Sequence, residues 1–261
     1  GTTVPVQVEV DTGMCRMGVS PEEAPALIES LVRETALELD GVYTHLACAD
    51  ETDLGPARAQ LALFREVLAA VRARGIDPGL VHVANSAALL ASAELASEIP
   101  DEVNAVRPGL MLYGVCPAPH LAGRAALAPV MSLRTRVANV RHVRPGEPVG
   151  YGATFRAKQR GRIATLPVGY ADGVPWSLGN RGHVLVRGRR VPIAGRVSMD
   201  LLTLDVGESE IKIGEPVVVF GREAGREGGV LPVEQVAEVA GTIPYELLVR
   251  VGQRVPRTLD E

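Results

Sequence analysis

Near residue 120 the spacing of apolar residues changes period, and this constrains the chain more than any other feature. Up to about residue 117, short apolar runs alternate with stretches of helical spacing. Residues 6–10, 41–46 and 80–84 are predicted strands, with a fourth over 103–106. Ala24, Leu27, Ile28 and Leu31 recur at helical spacing, as do Leu61, Phe64, Leu68 and Val71. Ser20-Pro21-Glu22-Glu23 predicts a helix start, Gly75 a helix end, and Asn85-Ser86 the opening of a short helix. Strand–helix alternation predicts parallel βα units. Three or four such units make half of an eight-stranded barrel, or part of an open doubly wound sheet, and the pattern leaves both open. From about Leu127 the period becomes two. Leu133, Thr135 and Val137 alternate with arginines, and so do Leu202, Leu204 and Val206 with polar residues. Runs at 184–186 and 191–193 flank Arg187-Gly188-Arg189-Arg190 as a hairpin. This half predicts an antiparallel β domain with helical patches at 233–240 and 247–251. The expected division is 1–120 and 121–261, with the joint in the Pro/Gly-rich stretch 117–123.

Composition narrows the function. The 261 residues are 46% hydrophobic and 22% charged, enough for a sizeable core and too apolar for disorder. No apolar run reaches the ~18 residues of a membrane span, and residues 1–5 do not resemble a signal peptide. A net charge of −4 gives no electrostatic reason to expect nucleic acid or a membrane as partner. Three scattered cysteines without a CxxC pair point to reduced thiols in a cytoplasmic protein. No zinc-ligand spacing, phosphate-binding P-loop, GxSxG or GxGxxG is present, so no metal is expected.

Polar residues cluster just beyond the predicted parallel strands, where α/β folds bind ligands. They are Asp11 to Arg16, His45, His82 with Asn85-Ser86, and Arg107-Pro108-Gly109. Each has a structural alternative. Arg16 could form a surface ion pair, and His45 could be a satisfied core histidine. Asn85-Ser86 could cap a helix or place N–H groups on a phosphate. Arg107, set in an apolar run, needs an acceptor that a ligand atom would supply. In the second half, Gly169-Tyr170-Ala171-Asp172-Gly173 exposes a tyrosine after a strand, and Gly195-Arg196-Val197-Ser198-Met199-Asp200 follows a tight corner.

Taken in order, VDTGMCRMGV (10–19), YTHLACADE (43–51), HVANSA (82–87), VRPGLMLYG (106–114), GYADG (169–173), GRVSMD (195–200) and GTIPYE (241–246) resemble the alanine racemase family. The resemblance implies pyridoxal 5'-phosphate as cofactor and alanine as substrate, with D-alanine supplied for peptidoglycan. It implies the second half of a (β/α)8 barrel followed by a mainly antiparallel β domain. It also implies a homodimer with shared active sites. Arg107 would face the pyridine nitrogen; Ser86, Gly109, Leu110 and Tyr245 would hold the phosphate; and His45 would lie against the ring. Arg16 and the Met199 backbone would orient the substrate carboxylate. Tyr170 would be one of two opposed acid–base groups, tuned by His45 and nearby arginines. Arg196 and Asp200 would support the entrance.

The chain departs from the family in three places. The cofactor-binding lysine motif is absent, since the only lysines, Lys158 and Lys212, sit in unrelated contexts. The expected reading is therefore a C-terminal portion, inactive without a lysine-bearing segment. Glu9 replaces a frequent lysine and could serve Arg16 directly, and Leu201 replaces a common glutamine. A racemase of serine or another small amino acid, and a non-catalytic cofactor-binding homologue, are the alternatives.

Overall fold

The computed structural model describes residues 2–223 and 229–259. Two compact units are present: residues 1–112 with 116–127, and residues 113–115 with 128–261. Residues 121–127 thus group with the first unit rather than the second.

In the first unit, β1 (Val4–Glu9), β2 (Leu37–Tyr43) and β3 (Leu80–His82) run parallel in the order β1-β2-β3. Helices α1 (Ala24–Leu31) and α2 (Gly55–Arg72) connect them, followed by the short α3 (Ser86–Leu90) and α4 (Ser92–Leu95). The apolar stripe read from the sequence is the buried face of α2: Leu61, Phe64, Leu68 and Val71. It shares one core with Ile28 of α1 and with Val8, Val42 and Val81 of the strands. Full burial of one such side chain is worth roughly 1.5–3 kcal/mol, so this stripe fixes α2 to the sheet.

Three elements differ from expectation. β2 begins at Leu37, not residue 41, because backbone pairing continues across the exposed Glu38 and Asp40. The Ser20–Glu23 pair forms as a reciprocal cap, with Ser20 Oγ 2.9 Å from Glu23 Oε2, but helix α1 proper starts at Ala24. The fourth strand shrinks to a single parallel bridge between His82 and Ala105. There the Asn104 side chain takes the Val81 N–H at 2.9 Å, replacing a strand partner, and Pro108 brings no donor to extend the pairing.

The second unit is antiparallel. Its strands are β4 (Leu133–Arg136), β5 (Asn139–Val143), β6 (Pro148–Val149), β7 (Phe155–Arg156), β8 (Gly161–Leu166), β9 (His183–Val186), β10 (Arg189–Pro192), β11 (Leu202–Gly207), β12 (Pro216–Arg222) and β13 (Val230–Leu231). They form the sheets β10-β9-β12-β13, with β4 also on β12, then β11-β8-β5, and the pair β6-β7. The expected hairpin is β9-β10, closed by Arg187 and Gly188 with φ of 54° and 73°, the positive pair that two-residue hairpins favour. The helical patches are α5 (Val233–Ala240) and α6 (Pro244–Arg250). Among the described residues, no helix is long and apolar enough to cross a membrane, and no cluster of three potential metal ligands exists.

Candidate functional site

Parallel register sets Glu9, Tyr43 and His82 abreast at the carboxyl end of the first unit's sheet. The Tyr43 and His82 rings stack, with centroids 4.8 Å apart, and the Tyr43 hydroxyl donates to Glu9 at 3.1 Å. Arg107 is anchored by its backbone N–H on Ala84 O at 2.9 Å. Its guanidinium, 5.0 Å from the Tyr43 ring centroid, spans two strand ends. One terminal nitrogen donates to His82 Nδ1 and to His82 O at 3.2 Å. The other donates to Thr44 O at 2.9 Å and His45 Nδ1 at 3.1 Å. A guanidinium has five N–H groups, so among the described residues only Nε–H is left without an acceptor.

The surrounding loops are fixed by polar side chains. Gln60, reaching from α2, donates to His45 O and Thr12 Oγ1 and accepts from the Ala47 N–H. Buried Ser86, opening α3, accepts from the N–H groups of Gly109 (2.9 Å) and Met111 (3.2 Å), which leaves its hydroxyl hydrogen unspent. Gly109 N–H, expected as a phosphate donor, is therefore engaged by Ser86, while buried Leu110 opens the next tight turn. Asn85 caps α3 through Ala88 N–H. Arg16 is exposed on a turn that Asp11 holds through the N–H groups of Gly13, Met14 and Cys15. Among the described residues no ion pair joins Glu9 and Arg16, and Glu9 Oε2 accepts from Tyr43.

Burial, reinforced by the Arg107 charge, holds both His45 and His82 below the usual imidazole range. Both are thus neutral at pH 7, as acceptors for Arg107 must be, and His45 brings no positive charge with which to tune a tyrosine. Because their folded values lie below the unfolded ~6.5, the folded state binds fewer protons. The stability they contribute is complete above that pH and is lost as pH falls through the folded values. Thermal unfolding should shift to lower temperature between pH 7.5 and 5.5, with a shallower slope in His82→Gln. Parallel pH profiles for the two proteins would contradict this.

In the second unit, Tyr151, Tyr170, Trp176, Arg196, Met199 and Asp200 line a cavity of about 630 Å³. Gly169 is required by close approach, since a Cβ there would lie 2.2 Å from Ser198 O. That approach lets Tyr170 N–H bond Ser198 O and Ala171 N–H bond Met199 O, each at 3.0 Å, so the two turns form one block. Asp172 reinforces it by accepting from Gly169 N–H at 2.8 Å and from Arg254 at 2.7 Å; Arg254 also donates to Asp200 at 2.7 Å. Burial raises the Asp172 pKa, but Arg254 and the Gly169 N–H outweigh it and hold the carboxyl below its ordinary value.

Tyr151 was not singled out in the sequence. It stands between Gly150 and Gly152, whose φ values of 75° and 72° favour glycine, and it is 73% exposed against 45% for Tyr170. A Cβ on Gly152 would lie 3.2 Å from the Arg196 guanidinium carbon, so that cation sits under the Tyr151 turn, 5.8 Å from the Trp176 ring. The missed signal was Gly-Tyr-Gly at 150–152, the same glycine-flanked pattern noticed at Tyr170. Tyr245, half exposed in the first turn of α6, also belongs to this unit, whereas Ser86 and Gly109 belong to the first.

Comparisons with known proteins agree with this distribution of motifs. The model of the alanine racemase N-terminal domain matches residues 1–117, and that of the C-terminal domain matches residues 130–259. Alanine racemase of Geobacter sulfurreducens is 42% identical over 256 residues, which cover 97% of this chain and 65% of that protein. Alanine racemase of Desulforamulus reducens is 42% identical over 261 residues, covering 98% of this chain and 67% of that protein. The crystal structure of alanine racemase from D-cycloserine-producing Streptomyces lavendulae superposes with a TM-score of 0.89 at 38% identity, over 98% of this chain and 66% of that one. The chain thus spans about two thirds of the length of the relatives it matches. With both domain models matched in order and identities near 40% across nearly all its length, this chain belongs to the alanine racemase family.

Proposed function

We propose that this chain is the larger part of a pyridoxal-phosphate-dependent alanine racemase. The observation that carries the reading is Arg107, with four N–H groups satisfied by the protein and one left to donate. Such a donor suits an uncharged ring nitrogen, because a guanidinium does not give up its proton. The Ser86 hydroxyl hydrogen and the Leu110 turn suit a phosphate. When bound, the cofactor draws away the electron pair left on the α carbon as its proton departs. Arg16 and the Met199 N–H orient the substrate carboxylate.

Proton transfer on one face falls to a tyrosine of the second unit. Tyr170 was the expectation, but the local geometry favours Tyr151. Its side chain is the more exposed, it sits on a turn built by two glycines, and the Arg196 guanidinium lies under that turn in the same cavity. Tyr170 is tied by its backbone to Ser198, and the next residue, Ala171, bonds Met199 O.

Racemisation needs a second group on the opposite face. Neither Lys158 nor Lys212 fits it: Lys158 follows β7, and Lys212 lines a separate cavity with His142 and Arg162. The lysine belongs to a further segment that would add the remaining strands of a (β/α)8 barrel, and without it this chain is inactive. The second unit of one protomer completes the first unit of the other in a cytoplasmic homodimer. A serine racemase and a non-catalytic homologue are the competing readings; retention of Arg16, Arg107 and the phenols weighs against the latter.

Borohydride trapping tests the assignment. The 261-residue chain should bind pyridoxal phosphate without forming a stable pyridoxyl-lysine at Lys158 or Lys212. Arg107→Leu should weaken that binding at least about tenfold, as expected for loss of a charge-assisted hydrogen bond. A label on either lysine, or unchanged binding in Arg107→Leu, would contradict it.

A further inference from the structure

Behind Arg107 runs a chain of polar side chains that crosses all three parallel strands. His82 Nδ1 accepts from Arg107, and a guanidinium can only donate, so the His82 proton sits on Nε2. Nε2 lies 2.8 Å from Gln7 Oε1, and the Gln7 amide nitrogen lies 2.7 Å from Asp40 Oδ2. A carboxylate can only accept. The direction of every bond is therefore set from both ends, by a pure donor at Arg107 and a pure acceptor at Asp40.

Two backbone features build this route. Register between β1 and β2 slips at Val6/Gln7: Val6 pairs Leu39, but Gln7 pairs Gly41. Asp40 is the extra residue, and such bulges re-aim a side chain. β1 and β3 are not neighbours, so Gln7 must cross β2 to reach His82. It crosses at Gly41, where a Cβ would lie 3.3 Å from Gln7 Cδ and 2.5 Å from Leu80 O. Any larger residue would obstruct the crossing. Stacking on Tyr43 holds the His82 ring in the plane the route requires.

We propose that Gln7, oriented by Asp40 across Gly41, is a positioning residue that fixes the His82 tautomer and so keeps Arg107 aimed with Nε–H free. The value of that aim rests on the reading of Arg107 as the group that meets the cofactor ring; the tautomer itself does not. If Gln7 presented its NH₂ to His82 instead, the imidazole proton would move to Nδ1 and face the Arg107 donor. The two groups would then part.

The test reverses the polarity of the link. Two-bond ¹H–¹⁵N spectra of histidine-labelled protein report each imidazole tautomer, with His82 assigned from His82→Gln. The original protein should show an unprotonated Nδ1 and a protonated Nε2. Gln7→Glu, an acceptor only, should keep that pattern. Gln7→Lys, a donor only, should exchange the two signals or draw them together, and should weaken pyridoxal phosphate binding at least about tenfold. Asp40→Leu, at an exposed site where folding is not at risk, should draw the signals partly together. A His82 spectrum unchanged in both Gln7→Lys and Asp40→Leu would overturn the proposal. A tautomer that responds as expected, in a protein found not to racemise alanine, would uphold the relay and remove only the assigned activity.

Discussion

With residues 1–261 joined to the proposed lysine-bearing segment, replacing Tyr151 by phenylalanine should lower alanine racemisation by about 10²–10⁴-fold, the usual contribution of a positioned acid–base group. Tyr170→Phe should cost far less, within about tenfold. The contrast follows from how each ring is held. Tyr151 stands on a turn whose two glycines occupy backbone conformations that other residues resist, with Arg196 packed against Gly152. That arrangement presents the phenol on a turn that lines the same cavity as the cation. The Tyr170 backbone is locked to the Ser198–Met199 turn, and Asp172 and Arg254 strengthen the lock. Phenylalanine leaves those backbone bonds intact, so KM and kcat should both stay close to their original values. Steady-state kinetics in both directions would separate the two. Equal losses in kcat for both variants, or a larger loss for Tyr170→Phe, would return the acid–base role to Tyr170.

Complete loss of D-alanine formation is the expected behaviour of residues 1–261 alone. Racemisation removes a proton from one face of the α carbon and delivers one to the other, so one phenol cannot serve both faces. The remaining side chains of the first unit's cluster do not offer a substitute. His45 and His82 both spend Nδ1 on Arg107, and His82 Nε2 is spent on Gln7. Glu9 Oε2 accepts from the Tyr43 hydroxyl. A guanidinium is not a base near neutrality, so arginine offers no substitute.

How far the sequence carried the reading depends on the element. The helical stripe of α2 and the β9-β10 hairpin were legible because burial and turn geometry impose a local period on the residues. β5 was not, since Arg141 and His142 interrupt its apolar pattern, and its partner β8 lies far along the chain. Arg107 stood out as a cation in an apolar run, yet its four acceptors come from two separate strand ends and could not be foreseen. Gln7 and Asp40 gave no signal at all: their meeting depends on a bulge and a glycine, and both are set by pairing rather than local propensity. His45 stood out as a candidate but not as a neutral one, because its charge is decided by burial and by Arg107.

The most direct measurement is D-alanine formation from L-alanine with added pyridoxal phosphate, run on residues 1–261 and on a longer chain in which they are joined to the proposed lysine-bearing segment. The account predicts turnover by the longer chain and none by residues 1–261. Comparable turnover by residues 1–261 alone, or a longer chain that binds the cofactor and leaves alanine untouched, would contradict it.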